Sequence, residues 1–197
     1  EKNPISIIAV TKTQPVKTIK EAINAGVSFF GENRVQEALI KYKNIKANHQ
    51  QVKLHMIGPL QTNKVKKASE IFDFIHSLDR ENLAQEFVKN VNFTSLVNIS
   101  FFIQVNTGKE KQKAGINFDE ADGFIKYCLN DLKLNVIGLM CIPPYNENPV
   151  PHFVLLKKLA FQNQLQHLSM GMSNDYEIAI RNGATFIRIG TQLFGDR

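Results

Sequence analysis

The chain has 197 residues, 43% of them hydrophobic and 21% charged, and a formal net charge of +6. That is ordinary for a globular protein, long enough for one sizeable core and too short for two comfortable domains. No apolar run approaches the roughly 18 residues a membrane helix needs, and the lysines are scattered without interleaved aromatics, which argues against a nucleic-acid surface and for an anionic ligand.

Ile5 to Val10 is a β-branched run and reads as the first strand, with Lys12 just past its end. Pro15 suits a first helical turn, and Val16, Ile19 and Ile23 share a face until Gly26 stops it. Ser28-Phe29-Phe30 is a second strand, closed by Gly31-Glu32-Asn33, and Val35, Ala38, Leu39, Tyr42 and Ile45 form the next helical stripe. A third strand runs from Lys53 to Ile57, ends at Gly58-Pro59, and leads to a helix over about Thr62 to Ile71. Phe74-Ile75-His76 is the fourth strand, ending at Ser77, and Asp79 is expected to cap a helix with Leu83, Phe87 and Val91 on its apolar side.

Phe101 to Val105 is the fifth strand, and Asp119 is expected to start a helix carrying Ala121, Ile125, Cys128, Leu129 and Leu132. Val136 to Met140 is the sixth. The segment from Pro143-Pro144 through Pro151 reads as a loop, and a helix then runs to about Gln166. Leu168 to Met170 is the seventh strand, Asp175 to Asn182 a helix stopped by Gly183, Phe186 to Ile189 the eighth strand, and Leu193-Phe194 the start of a last helix.

About eight strand–helix units in strict alternation imply parallel strands and right-handed crossovers, and eight such units close into a TIM-like (β/α)8 barrel, here an α/β fold in a single domain over residues 1–197. An open doubly wound sheet is the alternative, but the first strand end carries no GxGxxG. The start, Glu1-Lys2-Asn3-Pro4, is not an apolar leader. Cys128 and Cys141 show no CxxC spacing, so reduced, buried thiols in a cytoplasmic setting are expected.

In such barrels the loops after the strands hold the active site, and phosphate binds after strands seven and eight. Ser169-Met170-Gly171-Met172-Ser173 and Arg188-Ile189-Gly190-Thr191 stand there, offering small residues, backbone amides and hydroxyls. Lys12 ends strand one, the neighbour of strand eight in a closed ring. An amine facing a phosphate cradle suits a phosphorylated aldehyde held as a Schiff base, for which pyridoxal 5′-phosphate (PLP) is the candidate. A barrel enzyme acting on a phosphorylated sugar or small aldehyde is an alternative. His55, inside an apolar run, reads as a core histidine, Asn33 and Asn63 as helix caps, and Met140, Met170 and Met172 as barrel filling.

The runs Ala9 to Thr13, Gly31-Glu32-Asn33, His55 to Lys64, His76 to Asp79, Gln104-Val105-Asn106, Gly138-Leu139-Met140, Leu168 to Ser173, and Ile187 to Thr191 with Phe194-Gly195 come in one order. Together they resemble the pyridoxal phosphate homeostasis protein family. The resemblance implies a barrel like the N-terminal domain of alanine racemase, with Lys12 as the Schiff-base lysine. It implies Ser173, Gly190 and Thr191 on the phosphate, Arg188 on the pyridine nitrogen, and Asn33, His55 and Met170 lining the pocket. Lys113 matches a lysine near the site. It further implies a protein that holds and supplies PLP, with PLP-dependent apo-enzymes as partners; no edge strand or large apolar patch demands a dimer, so a monomer is expected. A PLP-dependent, racemase-like enzyme is the other reading. The family pattern has a helix ahead of the first strand, a basic residue where Gln14 stands and a basic C-terminal tail; the leading helix is expected to be absent from this chain.

Overall fold

The computed structural model describes residues 4–110 and 112–195. The expectations about a leading helix and a basic tail fall outside them. Nine parallel strands are present among the described residues: β1 (Ser6–Val10), β2 (Phe29–Glu32), β3 (Lys53–Met56), β4 (Phe74–Leu78), β5 (Ser100–Asn106), β6 (Ile116–Asn117), β7 (Val136–Met140), β8 (His167–Ser169) and β9 (Phe186–Ile189). They run in the order β4-β3-β2-β1-β9-β8-β7-β5-β6, and a β4–β5 pairing closes the ring. The two residues of β6 pair only with the end of β5, so the closed barrel has the expected strands, with β6 as an appendage.

Two apolar layers follow from the period-2 alternation of each strand. Inside the ring, Ile8, Phe102, Met140 and Phe186 meet Phe29, Phe74, Ile137 and Ile142. Outside it, the helices lay one stripe each on the opposite strand faces. Ile19 and Ile23 come from α1 (Val16–Asn24), Ala38, Tyr42 and Ile45 from α2 (Val35–Asn48), and Val65 and Ala68 from α3 (Val65–Ser69). Leu83, Ala84 and Phe87 come from α4 (Glu81–Asn90). Phe87 is fully buried and edge-on to Phe101 at 4.9 Å; truncating such a ring costs about 3–5 kcal/mol.

Several boundaries differ from the sequence reading. Asp79 caps nothing: its Oδ1 receives Arg80 Nη1 at 2.6 Å and its Oδ2 accepts from Gly115 N at 3.2 Å, so it ties the loop after β4 to the loop after β5. A short helix, α5 (Phe93–Leu96), intervenes, capped by Asn92. The next helix, α6 (Phe118–Lys126), starts one residue before Asp119, with the Asn117 side chain accepting from Asp119 N, and runs into a wide turn over Tyr127–Asp131. The following helix, α7 (Pro149–Gln162), begins inside the predicted loop and ends before Gln166. Asn148 caps it, and proline is tolerated in the first turn because its missing N–H has no acceptor there. Two short helices, α8 (Tyr176–Arg181) and α9 (Thr191–Phe194), follow β8 and β9.

Candidate ligand-binding cleft

The C-terminal ends of the strands open into a cleft of about 820 Å³. Lys12 reaches it from the end of β1, Asn33 from β2, Ser173 from the loop after β8, and Arg188, Gly190 and Thr191 from β9 and the turn beyond it. Lys113, paired with Glu110 at 2.6 Å, and Tyr145 lie on its rim. Closure of the ring makes this possible, because β1 pairs directly with β9, Ile8 opposite Arg188.

The two loops on the β8–β9 side are joined. Gln192 Nε2 donates to Ser173 O at 3.2 Å. Arg188 N donates to Gly171 O at 2.9 Å. Gly171 has φ +96°, and a Cβ there would lie 2.6 Å from that of Ala179, so the loop can turn toward the cleft only with glycine. The Asp175 side chain accepts from Met172 N at 2.7 Å and holds this turn closed.

His55 and Met170 do not line the cleft, which corrects what the resemblance implied for them. Both follow from strand geometry. His55 faces into the barrel one layer below Ile57, the residue that reaches the cleft; its ring stacks on Phe74 at 4.2 Å and is fully buried. Met170 follows the inward-facing Ser169 and so turns outward, into the layer between strands and helices. Met172, past the Gly171 turn, is the methionine that lines the cleft.

Below the cleft runs a buried polar chain. Arg188 is 4% exposed; its Nη1 donates to Ser169 Oγ at 2.7 Å and its Nη2 to Cys141 O at 3.0 Å. Ser169 Oγ also meets His76 Nδ1 at 2.9 Å, and His76 Nε2 meets His55 Nδ1 at 2.8 Å. An arginine can only donate. Ser169 therefore accepts from it while also joining His76 Nδ1, His76 Nε2 joins His55 Nδ1 with one ring donating and the other accepting, and His55 Nε2 finds no partner among the described residues. Burial lowers the pKa of both histidines, His55 to about 3 and His76 well below its ordinary value, so both are neutral. Burial also lowers the Arg188 pKa from its ordinary value.

Ser169 was expected in the phosphate-binding run, but its hydroxyl turns inward to Arg188 and His76, and His76 was not among the expected site residues. Ser169 stands two residues from His167 on a strand that alternates inward and outward, which was the available signal. Its link to His76, 93 residues away, left none.

The comparison with known proteins agrees with this geometry. The family model for the alanine racemase N-terminal domain matches residues 2–197. The chain is 44% identical over 204 residues to the pyridoxal phosphate homeostasis protein of Aquifex aeolicus, covering 99% of this chain and 88% of that one. It is 36% identical to the protein of the same name from Escherichia coli, covering 98% and 86%. The solved structure of PipY from Synechococcus elongatus with PLP bound superposes with a TM-score of 0.85 at 35% identity, over 97% of this chain and 92% of that one. Alanine racemase of Clostridium difficile, 11% identical, shares the fold with a TM-score of 0.79 across 53% of its own length. A closed parallel barrel with a lysine after its first strand and linked small-residue loops after its last two, in a chain so similar to these relatives, belongs to the pyridoxal phosphate homeostasis protein family, built on the alanine racemase N-terminal domain.

Proposed function

We propose that the protein holds PLP in this cleft through Lys12 and serves to buffer and deliver it, without catalytic turnover. The observation that carries this reading is the meeting, in one cleft, of an amine from β1 with an arginine and two linked loops from β8 and β9. The likeness to PipY, solved with PLP bound, supports the choice of ligand.

The residues fit the group. Lys12 offers the amine. Ser173, Gly190 and Thr191 would take the phosphate, since a hydroxyl and the free amides of a first helical turn suit an anion. Asn33 lines the cleft with a buried Oδ1 that lacks a partner among the described residues, an acceptor waiting for a donor such as a ring hydroxyl. When bound, PLP supplies an electrophilic carbonyl carbon and an aromatic ring able to withdraw electrons.

Arg188 argues for holding over turnover. Held by Ser169 and Cys141 where it lines the cleft, it would meet a ring nitrogen only as a donor and so would leave that nitrogen without a proton of its own. The ring would then be a weak electron sink, and carbanion chemistry would gain little. Delivery would be to PLP-dependent apo-enzymes.

The test is reduction with borohydride in the presence of PLP, followed by intact mass and peptide mapping. One PLP fixed on the Lys12 peptide, lost in Lys12→Ala, is expected, together with reactivation of a PLP-dependent apo-enzyme by the loaded protein. Racemisation of amino acids that requires Lys12 would overturn the absence of turnover. A label elsewhere, or none, would overturn the site.

A further inference from the structure

We propose that Glu37 and Lys41 are positioning residues that clamp the backbone on both sides of Lys12 and so fix where its amine stands for capture of the aldehyde. This rests on the reading of Lys12 as the PLP lysine.

Helix α2 carries both side chains four residues apart, one turn along the same face. Lys41 Nζ donates to Thr11 O, the carbonyl just before Lys12, at 2.7 Å. Glu37 Oε1 accepts from Thr13 N, the amide just after Lys12, at 2.6 Å. The two side chains join each other at 2.8 Å, so residues 11 to 13 are gripped from one rigid element. Thr13 needs the grip. Its φ of 65° lies in the left-handed region, which a β-branched residue rarely adopts unless something holds it.

Behind the clamp lies an anchor. Lys41 Nζ also meets Glu32 Oε1 at 2.7 Å, and Thr11 Oγ1 joins the same oxygen at 2.7 Å and the Tyr42 hydroxyl at 2.6 Å. Glu32, Thr11 and Tyr42 are fully buried and Lys41 nearly so. Burial drives the Glu32 pKa up. On Glu37, burial pushes upward, but the bonds from Lys41 and from Thr13 N hold the carboxyl below its usual range. A buried ion pair is poor value as packing, since apolar residues of like volume stabilise as well or better. Packing also gives no reason for the pair to reach the two peptide groups that flank residue 12. Placement of the Lys12 amine does.

The step served is balanced. Lys12 Nζ bonds to the carbonyl carbon, and the carbonyl oxygen leaves as water with the two amine hydrogens. Its rate depends on where the nitrogen stands, and a displacement near 1 Å can cost about a hundredfold. Binding of the phosphate and ring does not depend on it.

The test compares two probes on the full chain. Capture of PLP is followed by rapid borohydride trapping and intact mass, and noncovalent binding by calorimetry with pyridoxine 5′-phosphate, which has no aldehyde. Glu37→Ala is expected to slow capture about tenfold or more while leaving pyridoxine 5′-phosphate affinity within about twofold. Glu37→Gln keeps an oxygen for Thr13 N and is expected to restore most of the rate. Lys41→Met, which frees Thr11 O, is expected to behave like Glu37→Ala. Capture at the wild-type rate in both Glu37→Ala and Lys41→Met overturns the proposal, as does parallel loss of both probes, which marks general damage to the cleft. If the wild type itself forms no adduct on Lys12, the cofactor reading falls first and this proposal with it.

Discussion

Arg188 Nη1 donates to Ser169 Oγ at 2.7 Å, and both side chains are buried between the cleft and the barrel interior. Ser169→Ala would leave a guanidinium hydrogen and His76 Nδ1 without partners. The expected loss of stability is about 2–4 kcal/mol, read from urea unfolding, since each buried polar group stripped of its partner costs about 1–3 kcal/mol and a charged one more. A loss below half a kcal/mol would mean that the guanidinium finds another acceptor.

Neutral burial of His55 and His76 makes stability depend on pH in a set direction. Unfolded, a histidine titrates near 6.5; folded, His55 is held at about 3 and His76 well below 6.5. Below pH 6.5 the unfolded chain binds more protons, so this contribution is whole above about 6.5 and is lost as pH falls toward about 3. Each histidine contributes a slope of up to about 1.4 kcal/mol per pH unit. Glu32 works in the opposite sense. Its raised pKa adds stability below the ordinary 4.5 that is lost as pH rises, offsetting part of the histidine contribution. Urea unfolding at pH 7 and pH 4.5 should show the chain more stable at pH 7. Equal stability at the two would show that the histidines are not held neutral.

Gly58 supports Asn33 through contact with its backbone. A Cβ at Gly58 would sit 2.5 Å from Asn33 O and 2.7 Å from its Cα, and neither atom can swing aside. Gly58→Ala is expected to cost about 1–3 kcal/mol by forcing the two loops apart. It should weaken pyridoxine 5′-phosphate binding as well, because Asn33 moves with its backbone. Calorimetry on a folded Gly58→Ala protein that binds normally would separate Asn33 from the ligand.

Cys128 and Cys141 are both free and buried, and burial pushes each thiol up to about 12. The thiolate is the reactive form. Neither should react with an aromatic disulfide reagent in the native protein at pH 8, and both should react once it is unfolded in urea. Fast native labelling of either would contradict its place in the core.

The ring itself was legible because alternation of apolar runs and helical stripes is a local property, and Lys12, Ser173, Arg188, Gly190 and Thr191 follow from where the strands end. What needed the structure is facing and depth. His55 and Ile57 lie on the same inward side, yet only Ile57 reaches the cleft, a difference of one barrel layer that the pattern does not mark. Met170 and Ser169 swap roles because one residue reverses the side. Asp79 has the chemistry of a helix cap, and a rival donor at Gly115 N, 36 residues on, takes its oxygen. Glu37 and Lys41 stand four apart on one face of α2, but that they grip Thr13 and Thr11 depends on how α2 docks beside β1.

The pairing of β1 with β9 also carries a consequence for synthesis. Residue 12 and its neighbours across the ring, Arg188 to Thr191, are made some 180 residues apart in translation. A nascent chain that has emerged only as far as Asn182 carries Lys12 but not the opposite wall of the cleft. A cleft that needs both walls is therefore complete only once β9 has been made and has closed on β1.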